Sequence, residues 1–344
     1  MKWLDGWNDR IILAIDHTKV DRYILNMPVL LVIDNTMIDF TKVQDNGEDI
    51  RIVPANHSKE LPYEFDVFDK NNGIMKLWVL IESIPSNTPT FFFLYYNNPS
   101  ATSGENSTQL WNACNCIMSL HFSELKGISY DSANDRLADG QNGSPTFVQD
   151  GSVGTSIVFN GSTDIYYNYL SSFNIHNYTI EVYFKRTGNP THSGICGTRF
   201  GSDYTMDFKT ENDCYYHYSI GTGSNWIHYA DVGSNALPTN VWYHGVLRVG
   251  GGHINVFHEG NQIHDYSYSG SALLMKSNQK FHVGRSAGTE YGYYHMDEFR
   301  VYSERKSNEW IKVSRLSMLN QLVIYDQEVI KDMIPKAQMI EPVF

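Results

Sequence analysis

The sequence predicts an all-β protein made of two antiparallel β-sandwich domains. Short runs of apolar and β-branched residues alternate with clusters of Asn, Asp, Gly and Pro, and no stretch shows long helical periodicity. Strands at this spacing, without helices between them, favour an antiparallel sandwich over a parallel sheet. The predicted strands of the first domain are residues 11–15, 28–33, 50–53, 63–68, 75–81 and 91–96.

A polar stretch separates the two strand-rich regions. Residues 99–109 contain Pro and Gly but no large apolar side chain, which is typical of a linker. We therefore predict a first sandwich at 1–98 and a second at 110–327, followed by a C-terminal extension at 328–344. The clearest strands of the second domain are residues 157–159, 178–184, 241–249 and 254–257.

Two local signals in the second domain predict a turn and a helix. Glu259-Gly260-Asn261 separates two alternating runs, as a hairpin turn does. Ser307 precedes a short amphipathic run that contains Trp310, and serine is a preferred residue at the N-cap of a helix.

The composition excludes several classes of protein. The chain has 344 residues, 26 Lys and Arg against 38 Asp and Glu, and a formal net charge of −12. This acidic balance excludes nucleic-acid binding by phosphate neutralisation, which needs a basic face. Aromatic residues make up 14% of the chain, too many for a disordered protein. No apolar run approaches the roughly 20 residues of a membrane-spanning helix, so we expect no membrane insertion.

The cysteine content does not indicate a disulfide scaffold, because the chain has only four cysteines. The one-residue spacer between Cys114 and Cys116 does not match the ligand spacing of a structural zinc site. We expect buried free thiols, with a Cys196–Cys214 disulfide as the alternative.

The order of motifs in the first domain resembles a known module. The matching residues are Trp7, Arg10 and the segments 27–32, 40–44, 46–52, 61–65, 77–79 and 93–99. Together they resemble a β-rich domain of unknown function found in bacterial, archaeal and phage surface proteins. In that family the domain commonly precedes a laminin-G-like domain.

The second domain continues the resemblance with a laminin-G-like, concanavalin A-type jellyroll. The matching segments are Asp-Ser-Ala-Asn at 131–134, which resembles the family's Asp-Ser-x-x-Asn loop, Phe-Asn-Gly at 159–161, Trp-Tyr-His at 242–244, a hairpin at 256–260 and a last strand at 296–302. The resemblance implies a second sandwich of jellyroll type. Because this fold serves lectins, adhesion modules and enzymes alike, it does not by itself assign a function.

The resemblance to the jellyroll family also implies a bound calcium ion. In related jellyrolls the ion lies near the Asp-Ser-x-x-Asn loop and the Asp of the final strand, which correspond to Asp131, Asn134 and Asp297. Asp135 and Asp139 lie in the same loop and are alternative ligands. The alternative role of Asp131 and Asn134 is to cap a turn through side-chain hydrogen bonds to the backbone.

Aromatic residues in predicted loops are candidates for carbohydrate binding, because a sugar ring stacks its C–H face on Trp and Tyr. The candidates are Tyr204, Trp226, Tyr229, Tyr291, Tyr293 and Tyr294. The alternative is that these rings fill the core, where aromatic side chains contribute large burial energies.

The acidic residues do not show the pattern of a glycoside hydrolase, which needs two carboxylates about 5 to 10 Å apart. Neighbours on a strand, such as Asp297 and Glu298, point to opposite faces. Glu211 and Asp213 flank a predicted turn. The sequence also lacks a nucleophile elbow and a phosphate-binding loop. We therefore expect no enzymatic activity.

Two features together favour a virion surface protein. The modules are typical of cell-surface proteins, but the N-terminus lacks the apolar segment of a secretory signal peptide. Because virion proteins are made in the cytoplasm and leave by lysis, we expect a capsid, tail or fibre component whose lectin-like domain attaches to host-surface glycans. Its expected partners are other virion proteins or copies of itself. The alternatives are an adhesion or glycan-binding module at a bacterial or archaeal surface and, less favoured, a polysaccharide-active enzyme.

The C-terminal extension is too apolar for a free tail. Its apolar residues are Val329, Ile330, Met333, Ile334, Met339, Ile340, Val343 and Phe344. Exposed apolar groups promote aggregation, so this segment needs a surface to cover it. We predict that it docks on a neighbouring subunit or another virion protein, and its own domain is the alternative surface.

Overall fold

The structure is a computed structural model that describes residues 4–123, 125–127 and 129–334. The chain forms two compact units, one from Met1–Cys114 with Lys312–Phe344 and the other from Asn115–Ile311. Both units are built from antiparallel sheets, which confirms the predicted all-β fold class.

The first unit contains two antiparallel sheets. Its strands are β1 (Asp9–Ile15), β2 (Ile24–Asp34), β3 (Arg51–Pro54), β4 (Tyr63–Asp69), β5 (Ile74–Ile84), β6 (Thr90–Tyr96) and β24 (Val323–Ile324). The four-stranded sheet has the order β24-β1-β6-β3, and the three-stranded sheet has the order β2-β5-β4. Strands β1 to β6 lie within a few residues of their predicted positions, because turn residues bound each apolar run in the sequence.

Polar caps set the ends of the short helices in the first unit. Two single-turn 3-10 helices, His17–Lys19 and Phe40–Lys42, follow aspartates whose carboxylates accept a backbone N–H two residues later. Helix α1 (Ser107–Ala113) is capped by Asn106, which accepts the N–H of Gln109 at 3.1 Å. Side-chain oxygens therefore satisfy N–H groups that the first turn of a helix leaves free.

The segment predicted as a linker packs against the first unit. The carbonyl oxygen of Thr102 accepts a hydrogen bond from Arg51 at 2.6 Å, and the Glu105 carboxylate accepts the backbone N–H of Phe65 at 3.0 Å. Further along, the indole N–H of the fully buried Trp111 donates to Glu64 at 2.7 Å. Residues 99–109 are therefore part of this unit's structure, and α1 extends the unit to Cys114.

The chain returns to the first unit before its end. Helix α2 (Asn308–Met318) passes from one unit to the other, and helix α3 (Gln327–Met333) follows β24. Ile330 and Ile334 are buried in an apolar cluster that includes Ile12 of β1 and Phe93 of β6. The first unit thus begins again at Lys312, earlier than the boundary at residue 327 that the sequence suggested.

This packing changes the interpretation of the C-terminal extension. The neighbouring-subunit hypothesis is wrong for Ile330 and Ile334, which pack on the chain's own first unit. Residues 335–344 lie outside the described part of the chain.

The second unit contains a seven-stranded and a ten-stranded antiparallel sheet. Its strands are β7 (Cys116–Leu120), β8 (Tyr130–Asp131), β9 (Arg136–Leu137), β10 (Gly140–Asn142), β11 (Thr146–Val148), β12 (Ser156–Asn160), β13 (Asp164–Asn168), β14 (Tyr178–Arg186), β15 (His192–Gly197), β16 (Met206–Glu211), β17 (Tyr216–Gly221), β18 (Trp226–Val232), β19 (Trp242–Gly250), β20 (His253–His258), β21 (Asn261–Ser267), β22 (Lys280–Val283) and β23 (Tyr293–Tyr302). A 3-10 turn, Ser171–Phe173, follows β13.

The order of the strands leaves two outer edges that matter for the site. The seven-stranded sheet has the order β10-β13-β22-β15-β16-β17-β18. The larger sheet has the path β21-β20-β19-β14-β23-β7-β8-β9, with β12 beside β23 and β11 beside β12. The two sheets share one apolar core, to which β14 contributes Ile180, Val182 and Phe184. Strands β18 and β21 are each the last strand of their sheet.

Both local predictions in the second unit are confirmed. Glu259 and Gly260 form the turn between β20 and β21, with φ angles of 52° and 78° in the left-handed region. The hydroxyl of Ser307 accepts the N–H of Trp310 at 3.0 Å at the start of α2.

The four cysteines are buried thiols that form no disulfide within the described part of the chain, so the alternative Cys196–Cys214 disulfide is not present. Among the described residues, no helix has the length and apolar character needed to cross a bilayer.

Candidate functional site

A cleft of about 500 Å³ opens beside the edge strands β18 and β21. We call it the edge cleft, and its lining residues are Thr222, Trp226, Ile227, Tyr266, Ser267, Tyr268 and Ser269. Tyr266 and Ser267 belong to β21, whereas Trp226 and Ile227 begin β18. The lining therefore combines three aromatic rings with three hydroxyl side chains.

Two neighbours hold the Trp226 ring in place. The ring of Tyr204 meets it edge-on, with centroids 5.1 Å apart and an interplanar angle of 88°. The guanidinium of Arg199 lies 5.4 Å from the Trp226 ring centroid, and Arg199 is fixed by an ion pair with Asp207 at 2.7 Å. Edge-on aromatic pairs and cation–π contacts both favour one ring orientation, so the cleft has a preformed aromatic wall.

A histidine pair lies beside the cleft wall. The ring of His228 stacks on Tyr266 with centroids 3.4 Å apart. The Tyr218 hydroxyl lies 2.9 Å from Nδ1 of His228 and 2.8 Å from Nε2 of His264. Burial lowers the pKa of both histidines, and the charge of His264 further lowers the pKa of His228. Both rings are therefore neutral near pH 7.

We expect the second unit to lose stability as the pH falls below 6.5, the ordinary pKa of histidine. Because the folded-state pKa values of His228 and His264 are lowered, the unfolded chain takes up protons there before the folded chain does. The unfolding free energy should fall from pH 6.5 downward until the folded histidines also titrate. Urea midpoints measured from about pH 7.5 to pH 5 should show this slope. A His228→Gln/His264→Gln variant with an unchanged slope would contradict the assignment.

The lining of the edge cleft suits a carbohydrate better than it suits a charged ligand. Aromatic faces provide apolar stacking surfaces, and hydroxyl groups donate and accept hydrogen bonds. No Lys, Arg, Asp or Glu is among the lining residues within the described part of the chain. A neutral, polyhydroxylated ligand with an apolar face therefore matches the lining best.

Family models identify both domains. A model described as a domain of unknown function (DUF2341) matches residues 46–139, and a model of the Concanavalin A-like lectin/glucanases superfamily matches residues 159–312. The chain has a DUF2341 domain followed by a laminin-G-like domain. This confirms the resemblance found in the sequence. The DUF2341 match runs past Cys114 and ends just after β9, so its limits differ from those of the first unit.

Several solved structures show a more distant likeness. Domain 4 of AbnA, a GH43 extracellular arabinanase from Geobacillus stearothermophilus solved with arabinotriose, is 15% identical over 58% of this chain and 97% of that chain, with a TM-score of 0.47. The binding domain of Paraclostridial Mosquitocidal Protein 1 is 13% identical over 62% of this chain and 54% of that chain, with a TM-score of 0.47. The binding domain of botulinum neurotoxin serotype D is 13% identical over 58% and 51%, with a TM-score of 0.43.

The matches to the two toxin domains span about half of those chains. All three TM-scores lie below 0.5. No curated protein matches this chain.

The predicted glycan-binding residues have different surroundings in the structure. In the laminin-G-like domain, Trp226 lines the edge cleft and Tyr204 supports it. Tyr229 is 65% exposed on β18. Tyr291 lies under the guanidinium of Arg285, with the ring centroid 4.6 Å away. A glycan contact at Tyr229 or Tyr291 stays a prediction.

Tyr294 does not belong to an exposed surface, so its selection as an exposed residue is wrong. It is fully buried in the core, and its hydroxyl bonds to the Thr210 hydroxyl at 2.7 Å and to the backbone oxygen of Ser193. Its neighbour Tyr293 is 36% exposed and packs over Gly161. Adjacent residues of a strand face opposite ways, which is why only one of these two tyrosines is accessible.

Sequence reasoning missed Tyr266 and Tyr268, although the signal was present. They alternate with Ser267 and Ser269, and such alternation of aromatic and hydroxyl residues is typical of an edge strand with one apolar face. The pattern does not reveal that the edge faces the start of β18, since that depends on the pairing of distant strands.

The predicted calcium ligands are hydrogen-bonded within the protein. The buried Asp131 carboxylate accepts the N–H of Ser119 at 3.0 Å and the side-chain amide of Asn134 at 2.7 Å. Asp297 lies on β23 and accepts the N–H of Val153 at 2.9 Å. Burial raises the pKa of both carboxyl groups. This geometry supports the turn-capping alternative for Asp131 and Asn134, and calcium stays a prediction.

Strand β16 carries the carboxylates Asp207 and Glu211 on its outer face. Asp207 and Glu211 are four residues apart, which is roughly 13 Å along a strand and too far for a catalytic pair. Glu290 is nearer to Asp207, since both contact Arg199. Burial raises the pKa of Asp207. Burial also acts to raise the pKa of Glu290, but Lys209 outweighs this effect, and the pKa of Glu290 is lowered overall. Because Asp207 is fully buried, a polysaccharide does not reach it in this conformation.

Proposed function

We propose that this chain is a carbohydrate-binding protein whose laminin-G-like domain holds a glycan in the edge cleft. The observation that carries the proposal is the cleft itself, with three aromatic rings and three hydroxyl side chains and no charged residue in its lining among the described residues. The concanavalin A-like fold of the domain supports the same class of ligand.

Replacing Trp226 with Ala should weaken glycan binding by roughly 2 kcal/mol, or about 30-fold, because an aromatic anchor in a cleft carries a large share of binding energy. The full chain is first screened on a glycan array, and the oligosaccharides that bind are then titrated calorimetrically. Trp226→Phe should retain part of the affinity, since it keeps an aromatic face.

A matched control is Trp242→Ala. Trp242 is also a half-exposed tryptophan with a cationic neighbour, Lys185, at 5.4 Å from its ring, but it does not line the edge cleft. Its removal should leave the affinity unchanged. If Trp226→Ala binds as tightly as the unaltered chain, the glycan lies elsewhere on the domain.

We further propose that binding occurs without turnover. The full burial of Asp207 and the commitment of Glu290 to Lys209 at 2.9 Å support this. An oligosaccharide incubated with the protein should yield no new reducing ends. New reducing ends that disappear in a Glu290→Gln variant would instead establish the hydrolase alternative.

Calcium at Asp131, Asn134 and Asp297 is the proposed cofactor. If it binds, a chelator should lower the melting temperature, because a ligand at a hundredfold excess over its dissociation constant stabilises the folded state by about 2.7 kcal/mol. With zinc absent from all samples, an Asp297→Asn variant should melt at the same temperature with and without chelator. A chelator-independent melt of the unaltered chain would leave only the turn-capping role.

The biological setting that we propose is a virion surface, where the glycan would belong to a host cell. Other virion proteins or further copies of this chain are the proposed partners there. Mass spectrometry of purified particles tests this setting, and it is separate from the test of glycan binding. A cell-surface adhesion module remains the alternative setting, and detection in cell-envelope fractions alone would favour it.

A further inference from the structure

Four neighbouring strands of the seven-stranded sheet each place one potential metal ligand at the same end. His192 on β15 lies opposite Glu211 on β16, and His217 on β17 lies opposite Asp231 on β18. Lys209, on the same face of β16 as Glu211, lies opposite His217. Residues directly opposite each other share a face of the sheet, so all four potential ligands lie on one face. We call this set the His–carboxylate row.

The row lies on the face turned away from the core. Phe208, Tyr216 and Tyr218 alternate with the row residues along β16 and β17 and belong to the buried apolar cluster. The opposite face therefore presents Glu211 and His217 outward. The row is separate from the edge cleft, whose lining contains none of its members.

The distances within the row suit a small cation. Nδ1 of His192 lies 2.7 Å from Oε1 of Glu211, and Nδ1 of His217 lies 2.6 Å from Oδ1 of Asp231. Nδ1 of His217 is also 3.7 Å from the same Glu211 oxygen. One ligand atom each from Glu211, His217 and Asp231 lies within 4.8 Å of the others, and His192 joins this group through its contact with Glu211. A tetrahedral ion with bonds of about 2.0 to 2.2 Å needs only small side-chain movements to bind among them.

The surroundings of the row also favour a metal. Nε2 of His217 lies 3.2 Å from the hydroxyl of Ser219, and such a second contact orients a ligating imidazole. The side chains of His192 and Asp231 are 43% and 60% exposed, so an ion has access from solvent. Nζ of Lys209 lies 3.8 Å from a carboxylate oxygen of Glu211 and 2.9 Å from a carboxylate oxygen of Glu290. The lysine therefore forms its closer ion pair with Glu290.

We infer that His192, Glu211, His217 and Asp231 form a binding site for a divalent transition metal, for which Zn²⁺ is the best match. Two imidazoles and two carboxylates supply the nitrogen and oxygen donors that zinc accepts in a four-coordinate site. Calcium prefers six or more oxygen ligands and is disfavoured by the two imidazoles. Cys214 is not part of the set, because its thiol donates to the backbone oxygen of Tyr216 at 3.2 Å.

The test is a calorimetric titration of the chelator-treated full chain with ZnCl₂. We expect one saturable site, and Co²⁺ in its place should give the visible absorption of a tetrahedral site. His217→Ala should weaken zinc binding by more than about 100-fold, since loss of even a second-shell partner costs about 10- to 100-fold. Asp231→Asn, at the most exposed member of the row, should weaken binding without disturbing the fold, as measured by circular dichroism.

Two controls make the experiment decisive. His253→Ala removes an exposed histidine that is paired with only one carboxylate, Asp265, at 2.9 Å, and it should leave zinc binding unchanged. Cys214→Ser should also leave it unchanged. The inference is overturned if the unaltered chain shows no saturable zinc binding, if His217→Ala binds as the unaltered chain does, or if His253→Ala loses as much affinity as His217→Ala.

Discussion

Replacing Arg300 with Met should destabilise the second unit by about 3 to 5 kcal/mol, because it leaves buried carboxylates without their cation. Arg300 is fully buried and forms ion pairs with Glu298 and, at 3.9 Å, with Glu181. His121 contacts Glu298 at 2.8 Å, and His244 contacts Glu181 at 2.8 Å. Although burial disfavours the charged guanidinium, Glu298, followed by Tyr302 and Glu181, outweighs this effect and holds the pKa of Arg300 above its usual range.

The measurement is denaturant or thermal unfolding followed by circular dichroism, and a shift on the order of 10 °C corresponds to the expected loss. Methionine keeps most of the volume of arginine, so the effect reports the charge more than a cavity. Adding Glu298→Gln to the variant should recover part of the stability, because it removes one of the uncompensated charges.

A surface pair in the same unit provides the comparison for Arg300. Lys276 lies 2.8 Å from Asp203, and the two side chains are 39% and 36% exposed. Lys276→Met should change stability by less than about 1 kcal/mol, because exposed ion pairs contribute little. Equal losses for Lys276→Met and Arg300→Met would show that the buried network has no special role.

The strands could be predicted from the sequence because each one is a local pattern. The apolar run at 28–33 became the centre of β2 (Ile24–Asp34), and the run at 91–96 became β6 (Thr90–Tyr96). Turn residues on both sides bounded these runs, so neither prediction needed information about distant partners.

The candidate sites could be predicted only in part, because their geometry depends on pairings between distant strands. Trp226 was identifiable as an aromatic residue near a turn, but its cleft partner Tyr266 lies 40 residues later on an edge of the other sheet. The His–carboxylate row arises from the register of four strands. A single sequence does not specify that His192 lies opposite Glu211.

The return of the C-terminal segment to the first unit could not be predicted from the sequence either. Its apolar residues predicted that 328–344 needs a surface, but the surface that covers Ile330 and Ile334 is formed by β1 and β6, which lie more than 200 residues earlier in the chain. Strand β24 pairs with β1 through Ala14–Ile324 and Ile15–Val323. It thereby covers an edge that would otherwise be open to association with other chains.

Helix α3, which belongs to this returning segment, should contribute strongly to the stability of the first unit. Ile330→Ala should destabilise the first unit by about 3 kcal/mol, because it leaves a cavity in a fully buried position. Ile330 is 0% exposed on α3 and packs in the cluster that contains Ile12, Ala14 and Phe93. Equilibrium unfolding in urea, followed by the fluorescence of the chain's tryptophans, measures the loss.

The neighbouring residue gives a matched control for the Ile330 prediction. Val329 lies on the same helix and is 46% exposed, so Val329→Ala should change the stability by less than about 0.5 kcal/mol. Both substitutions shorten a β-branched side chain to alanine, a good helix former, so they change helix propensity in a similar way. The difference between their unfolding free energies therefore reports the burial of Ile330. If the two variants unfold at the same urea concentration, the C-terminal helix does not stabilise the first unit in solution. Residues 328–334 would then be available for the neighbouring subunit that the sequence first suggested.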